Sequence, residues 1–144
     1  MEKLKNLTVI IVTYNTSEKI ILDCLNSIDK DVKTLIIENS NNFEHKNKIL
    51  SEFQNVEILN TGSNLGMGSG NNYGLKHVKT DYALILNPDA VLKKNTLDRL
   101  LITANQHPDF AIIGPAKQDE FSKFDLNESK DQVFQVDSLK GFAM

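Results

Sequence analysis

Short apolar runs rich in β-branched residues alternate along the chain with stretches whose apolar positions recur every three or four residues. The first kind predicts strands over 7–13 (LTVIIVT), 34–38 (TLIIE), 56–60 (VEILN), 82–86 (YALIL) and 110–114 (FAIIG). The second predicts helices over 18–28, with Thr16 or Ser17 as N-cap, over 43–53 through Ile49, Leu50 and Phe53, and over 95–105. A further helix is expected to emerge from the second half of a glycine-rich loop, through Tyr73, Leu75, Lys76 and Val78. The run at 82–86 is wholly apolar and stops abruptly at Asn87-Pro88-Asp89, which suits a strand covered on both faces. Strands alternating with helices predict an α/β fold, a Rossmann-like, mainly parallel sheet with helices on both faces and right-handed crossovers.

After residue 115 the pattern changes. Residues 117–131 are polar and charged and read as loop, 132–137 as one more strand, and the closing Gly141-Phe142-Ala143-Met144 as a strand cut in the middle. The division expected is therefore 1–115 as one α/β unit and 116–144 as the truncated start of another part.

Composition narrows this picture. A length of 144 residues suits one domain that buries about 70% of its unfolded surface. The net charge of −3 and the absence of a basic cluster give no electrostatic reason to expect nucleic acid. The lone cysteine, Cys24, excludes an internal disulfide framework and fits a reducing, cytoplasmic setting. It shares the apolar side of the first helix with Ile20, Ile21, Leu25 and Ile28, so core packing accounts for it. No leader-like segment precedes the first strand, and no apolar stretch reaches the ~18 residues that span a membrane.

Candidate chemistry gathers at strand ends. In a parallel sheet the residues after 13, 38 and 86 lie on one edge, where open α/β sheets hold ligands. Thr13-Tyr14-Asn15 offers a hydroxyl, a ring and an amide, while Glu38-Asn39 offers an acceptor and an amide suited to ribose hydroxyls or a base edge. Turn chemistry alone explains each loop equally well; the shared edge favours a nucleotide. Five of the seven glycines lie between 62 and 74. They permit close backbone approach to a ligand, and a following helix N-terminus suits phosphate. This is neither a dinucleotide fingerprint, because Asn71 occupies the third glycine position, nor a P-loop, because Gly-Lys-Ser/Thr is missing. A flexible turn remains the plainer reading, against which Asn71 and Asn72 favour binding. Pro88-Asp89 reads either as a turn or as a carboxylate that holds Mg²⁺ or Mn²⁺ together with diphosphate oxygens and waters.

The stretches VIIVTYN (9–15), IIENS (36–40), NLGMGSGNNYGL (64–75) and LILNPDAVL (84–92) together resemble a family 2 glycosyltransferase of the GT-A fold, and within it the rhamnosyltransferase-like branch. The likeness runs from Leu7 to about Pro115. It implies that Thr13, Tyr14, Asn15, Glu38, Asn39, Met67, Gly68, Asn71, Asn72 and Asn87 line a nucleotide-sugar site. Glu38 takes the place of the family's usual Asp against base or ribose. Asn87-Pro88-Asp89 stands for its Asp-x-Asp with the first Asp absent, so Asp89 is the metal ligand implied, for Mg²⁺ or Mn²⁺.

The implied reaction is metal-assisted, inverting transfer of a rhamnose-like deoxysugar or a hexose from a nucleoside-diphosphate sugar to a glycan or lipid-linked acceptor, in polysaccharide biosynthesis. The likeness leaves room for contact with the inner membrane face and, through the cut sheet near Phe142, for a homo-oligomer. The family's general base lies in the later half of its fold, and no acidic residue of the tail matches it. A truncated, non-catalytic nucleotide-binding or interaction domain is the competing reading. A receiver or flavodoxin-like module is a weaker third, since an acidic pair is missing after the first strand.

Overall fold

In the computed structural model, which describes residues 3–115, a 3-10 turn over Lys3–Asn6 leads into a four-stranded sheet. Its strands are β1 (Leu7–Thr13), β2 (Lys33–Glu38), β3 (Val56–Asn60) and β4 (Tyr82–Ile85). All pairings are parallel and the order is β3-β2-β1-β4. The helices are α1 (Glu18–Asn26), α2 (Lys46–Glu52), α3 (Gly66–Leu75) and α4 (Thr96–Gln106).

Every residue of β1 is buried, as a central strand with helices on both sides requires. On one face Val9, Ile11 and Ile36 pack with Ile21, Cys24 and Leu25 of α1, Ile49 of α2, and Leu97 and Leu101 of α4. On the other, Ile10, Val12, Leu35 and Ile37 meet Tyr73 and Val78. Each fully buried Ile, Leu or Val contributes on the order of 1.5–3 kcal/mol, so these two layers dominate the stability of the unit. The sheet grows from β1 through β2 to β3 on one side and turns back to β4 on the other. That reversal opens a crevice outside the carboxyl ends of β1 and β4.

Four expectations change. The glycine-rich segment is helical from Gly66 onward rather than a loop with a helix in its second half. Within this segment positive φ is confined to Gly62 (76°) and Gly66 (75°), at the approach to α3 and its first residue. Gly70 and Gly74 serve packing instead. A Cβ on Gly70 would sit 2.9 Å from Val12 Cγ1, and one on Gly74 would sit 2.7 Å from Ile10 Cγ2. Glycine therefore lets α3 lie directly on β1 and β2.

Residues 110–114 form no strand: among the described residues β4 bonds only β1, and the apolar run finds no ladder partner. Phe110 stacks on the Tyr82 ring at 6.2 Å instead, and Ile112 is 61% exposed. β4 is thus the edge of the described sheet, with Leu84 and Leu86 buried but Ala83 and Ile85 only half-buried, not a strand covered on both faces. Finally, Ser17 does stand at the N-cap of α1, in extended conformation, but its side chain makes no capping bond. The loop at 117–131, the strand at 132–137 and the ending near Phe142 lie outside the described residues.

Candidate functional site

The carboxyl ends of the strands carry a buried polar network. Thr13 and Glu38 face each other in register at the last rung between β1 and β2, and both are fully buried. Thr13 Oγ1 donates to Glu38 Oε2 at 2.7 Å, while Glu38 Oε1 accepts from the Ser40 N–H at 2.6 Å and the Ser40 hydroxyl at 2.5 Å. A buried carboxylate is costly unless its oxygens are bonded, and here both are. Glu38 is therefore committed to its neighbours, and Ser40 forms the wall beyond it.

Asn39 is the next link, 2% exposed. Its N–H donates to the Thr13 carbonyl at 2.9 Å, its Nδ2 to the Gly66 carbonyl at 3.2 Å, and its Oδ1 accepts from Thr61 Oγ1 at 2.9 Å. One amide thus ties β1, the end of β3 and the start of α3 together. Thr61 was not singled out by sequence, because nothing local marks a hydroxyl that reaches across two strands.

Solvent meets this network in a cleft of about 290 Å³ lined by Asn15, Thr16, Ser17, Ser40, Asn42, Phe43, Glu44 and His45. Asn15 holds a left-handed φ of 49° there, a conformation Asn tolerates better than most residues. At its rim Glu18 pairs with Lys48 and lies 3.2 Å from His45 Nδ1; the Lys48 hydrogen bond, before the other influences, holds the Glu18 carboxyl below its ordinary range. A larger hollow of about 430 Å³ lies at the opposite sheet edge beside Lys33 and Val56, away from every strand end discussed here.

The other expected residues lie past β1, on α3 and past β4. Tyr14 is 53% exposed just past β1. Met67 and Gly68 lie exposed on the first turn of α3, with Asn72 exposed one turn on. Asn71 is half-buried, and its Oδ1 is a buried acceptor with no partner among the described residues. Asn87 and Asp89 follow β4, in a turn closed by Ala90 N donating to Asn87 O at 3.1 Å. The Asp89 carboxylate is exposed, and its negative charge is felt at Cys24. Burial first, and then that charge, push the Cys24 thiol up to about 12. The structure thus joins Thr13, Glu38 and Asn39 directly, ties them to α3, and sets Asp89 at the adjacent strand end.

No trio of His, Cys, Asp and Glu among the described residues could enclose a metal by itself. The donor set at Asp89, one exposed hard oxygen ligand, fits a Mg²⁺ or Mn²⁺ ion that takes its remaining ligands from diphosphate and water.

A search among known proteins agrees with this architecture. The chain is 28% identical over 116 residues to a low-salt glycan biosynthesis hexosyltransferase of Haloferax volcanii, covering 78% of this chain and 36% of the relative. It is 24% identical over 127 residues to an N-acetylglucosaminyl-diphospho-decaprenol L-rhamnosyltransferase of Mycobacterium tuberculosis, covering 78% and 41% respectively. The chain thus spans well under half the length of these curated relatives.

Among solved structures, S. aureus TarS superposes with a TM-score of 0.61 at 24% identity, over 71% of this chain and 33% of TarS. The mannosyltransferase PcManGT from Pyrobaculum calidifontis, solved with GDP-Man and Mn²⁺, superposes with a TM-score of 0.55 at 17% identity, over 72% and 32%. These likenesses establish the GT-A type of the Rossmann-like sheet. The family model described as glycosyl transferase family 2 matches residues 8–137, and with the parallel sheet and its polar strand-end network this places the chain in glycosyl transferase family 2.

Proposed function

We propose that this chain is the nucleotide-sugar-binding part, residues 1–115, of an inverting, metal-assisted glycosyltransferase, with 116–144 opening its acceptor side. The observation that carries this reading is the strand-end arrangement: a cleft floored by the Thr13–Glu38–Ser40 network and lined by Asn15 and Asn42, with the exposed Asp89 carboxylate at the next strand end across the switch point. Amide and hydroxyl groups in the cleft suit a nucleobase and ribose, which offer donors and acceptors in fixed directions. Asn71 and Asn72 on α3, with Met67, Gly68 and Asn87, then face the sugar diphosphate, Asn72 from an exposed position. A divalent ion held there with the diphosphate would supply charge neutralisation for that leaving group. Asp89 contributes to this by presenting one fixed carboxylate.

The donor is read as a nucleoside-diphosphate-linked hexose or rhamnose-like deoxysugar, used for glycan or lipid-linked acceptors on the cytoplasmic side of a membrane. Among the described residues no helix is long and apolar enough to cross a membrane, which is compatible with peripheral contact. A second reading is nucleotide binding without transfer: both oxygens of Glu38, the buried carboxylate at the strand ends, are used internally, so it is not free to deprotonate an acceptor.

The test is thermal shift with UDP, GDP and dTDP, each with and without Mn²⁺. One of them should raise the melting temperature, more so with Mn²⁺, and Asp89→Ala should abolish the Mn²⁺-dependent part. No shift with any nucleotide would overturn the proposal. Nucleotide binding without sugar transfer in a donor-hydrolysis and transfer assay would assign the second reading.

A further inference from the structure

The turn bearing Asp89 is pinned from below by the end of α1. Ser27, the C-cap residue of α1, donates its hydroxyl to Cys24 O at 2.6 Å and accepts from Leu92 N at 3.0 Å. Cys24 Sγ donates to Asn87 O at 3.7 Å, within reach for sulfur. On the strand side Leu86 N donates to Ile10 O at 2.9 Å, continuing the β4 ladder by one rung. Chain positions 86 to 92 are thus held at 86 by β1, at 87 by Cys24 and at 92 by Ser27. The Asp89 carboxylate itself, by contrast, is exposed and accepts no hydrogen bond among the described residues. Where it sits is decided by the turn, and where the turn sits is decided by α1.

We propose that Ser27 and Cys24 are positioning residues that hold Asp89 in place for a divalent cation bound to a nucleoside diphosphate. The inference rests on the reading of Asp89 as that cation's ligand. α1 is a suitable anchor because Ile21, Cys24 and Leu25 are buried in the core that β1 shares through Val9 and Ile11. A carboxylate in an unbraced turn would have to be ordered at the moment of binding, and that conformational cost would weaken affinity. Neither residue touches the nucleotide in this scheme, and the thiol acts as a weak hydrogen-bond donor and packing group, with no redox or nucleophilic part.

The test measures affinity for UDP, GDP or dTDP, whichever binds tightest, by titration calorimetry with and without Mn²⁺, in the wild-type chain and in Ser27→Ala, Ser27→Thr, Cys24→Ala and Asp89→Ala. Ser27→Ala should weaken binding in Mn²⁺ by roughly fivefold, the loss of one neutral hydrogen bond. Its metal-free affinity should stay unchanged, and Ser27→Thr, which keeps the oxygen, should restore the wild-type value. Cys24→Ala should show the same selective loss and carries the test if Ser27→Ala does not fold.

A Ser27→Ala variant within twofold of wild type in Mn²⁺, while Asp89→Ala loses the metal-dependent gain, would overturn the brace and leave the donor-site reading standing. Equal losses with and without Mn²⁺ would also overturn it, as the mark of a merely structural role. If Asp89→Ala matches wild type in Mn²⁺, the ligand reading fails and the brace falls with it.

Discussion

The hydroxyl of Thr13 donates to Glu38 Oε2 at 2.7 Å, joining the last residues of two adjacent strands at the edge where α/β sheets bind ligands. Glu38 spends its second oxygen on Ser40. The Glu38 side chain thus acts here through the residues it holds.

Glu38→Ala should lower the free energy of unfolding by roughly 1–3 kcal/mol, because it strands the buried donors of Thr13 and Ser40. Thr13→Val should cost a similar amount by leaving a carboxylate oxygen unpaired. Urea denaturation at neutral pH measures both; a Glu38→Ala midpoint equal to wild type would show that the network is not a stabilising element.

Replacing glycine along α3 should have opposite effects at different positions. Gly68→Ala, with open space around its Cβ, should stabilise by roughly 0.5–1 kcal/mol through helix propensity and unfolded-state entropy. Gly70→Ala and Gly74→Ala should instead destabilise by about 1–3 kcal/mol, since the added methyl meets Val12 or Ile10 in close-packed strands. Thermal melts of the three variants would separate helix propensity from helix–sheet spacing.

Cys24 should resist alkylation in the native chain at pH 8 and react readily once unfolded, because burial and the Asp89 charge push its thiol up to about 12. The linkage has a definite sign. The unfolded thiol ionises near its ordinary value of 9.0 while the folded one keeps its proton, so this contribution is intact below pH 9 and is lost as pH rises toward 12. Measured without divalent cation, wild-type stability should fall between pH 9 and 10.5, and Cys24→Ala should show a shallower fall.

Asn15→Gly offers a probe of the cleft that leaves the fold alone. Glycine accepts the left-handed φ of 49° without strain while removing the amide that lines the cleft. Its melting temperature should stay within a degree or two of wild type, and nucleotide affinity should drop by roughly threefold to tenfold, the range for one lost hydrogen bond. Unchanged affinity would remove Asn15 from the site.

Local pattern was enough for much of the frame. β1 and β3 have the limits expected from their apolar runs, β2 begins one residue earlier, and the helices differ mainly by fraying at their ends. A β-branched run flanked by turn residues is legible because its cause, burial on a pleated surface, acts on neighbours in sequence. The strand-end loops were legible too, since parallel pairing alone brings residues after 13, 38 and 86 to one edge.

What required the tertiary structure depends on residues far apart in the chain. That 110–114 stays irregular reflects the lack of a ladder partner among the described residues, which no local window contains. That Gly70 and Gly74 serve close packing follows from Val12 and Ile10 lying beneath them, about sixty residues earlier in the chain. The commitment of Glu38 to Thr13, 25 residues away, and the grip of Ser27 on Leu92, 65 residues away, are of the same kind. Sequence by itself determined that this chain is an α/β unit with polar strand ends; the three-dimensional packing decided which of those polar groups are spent on each other and which, like Asp89, stay exposed.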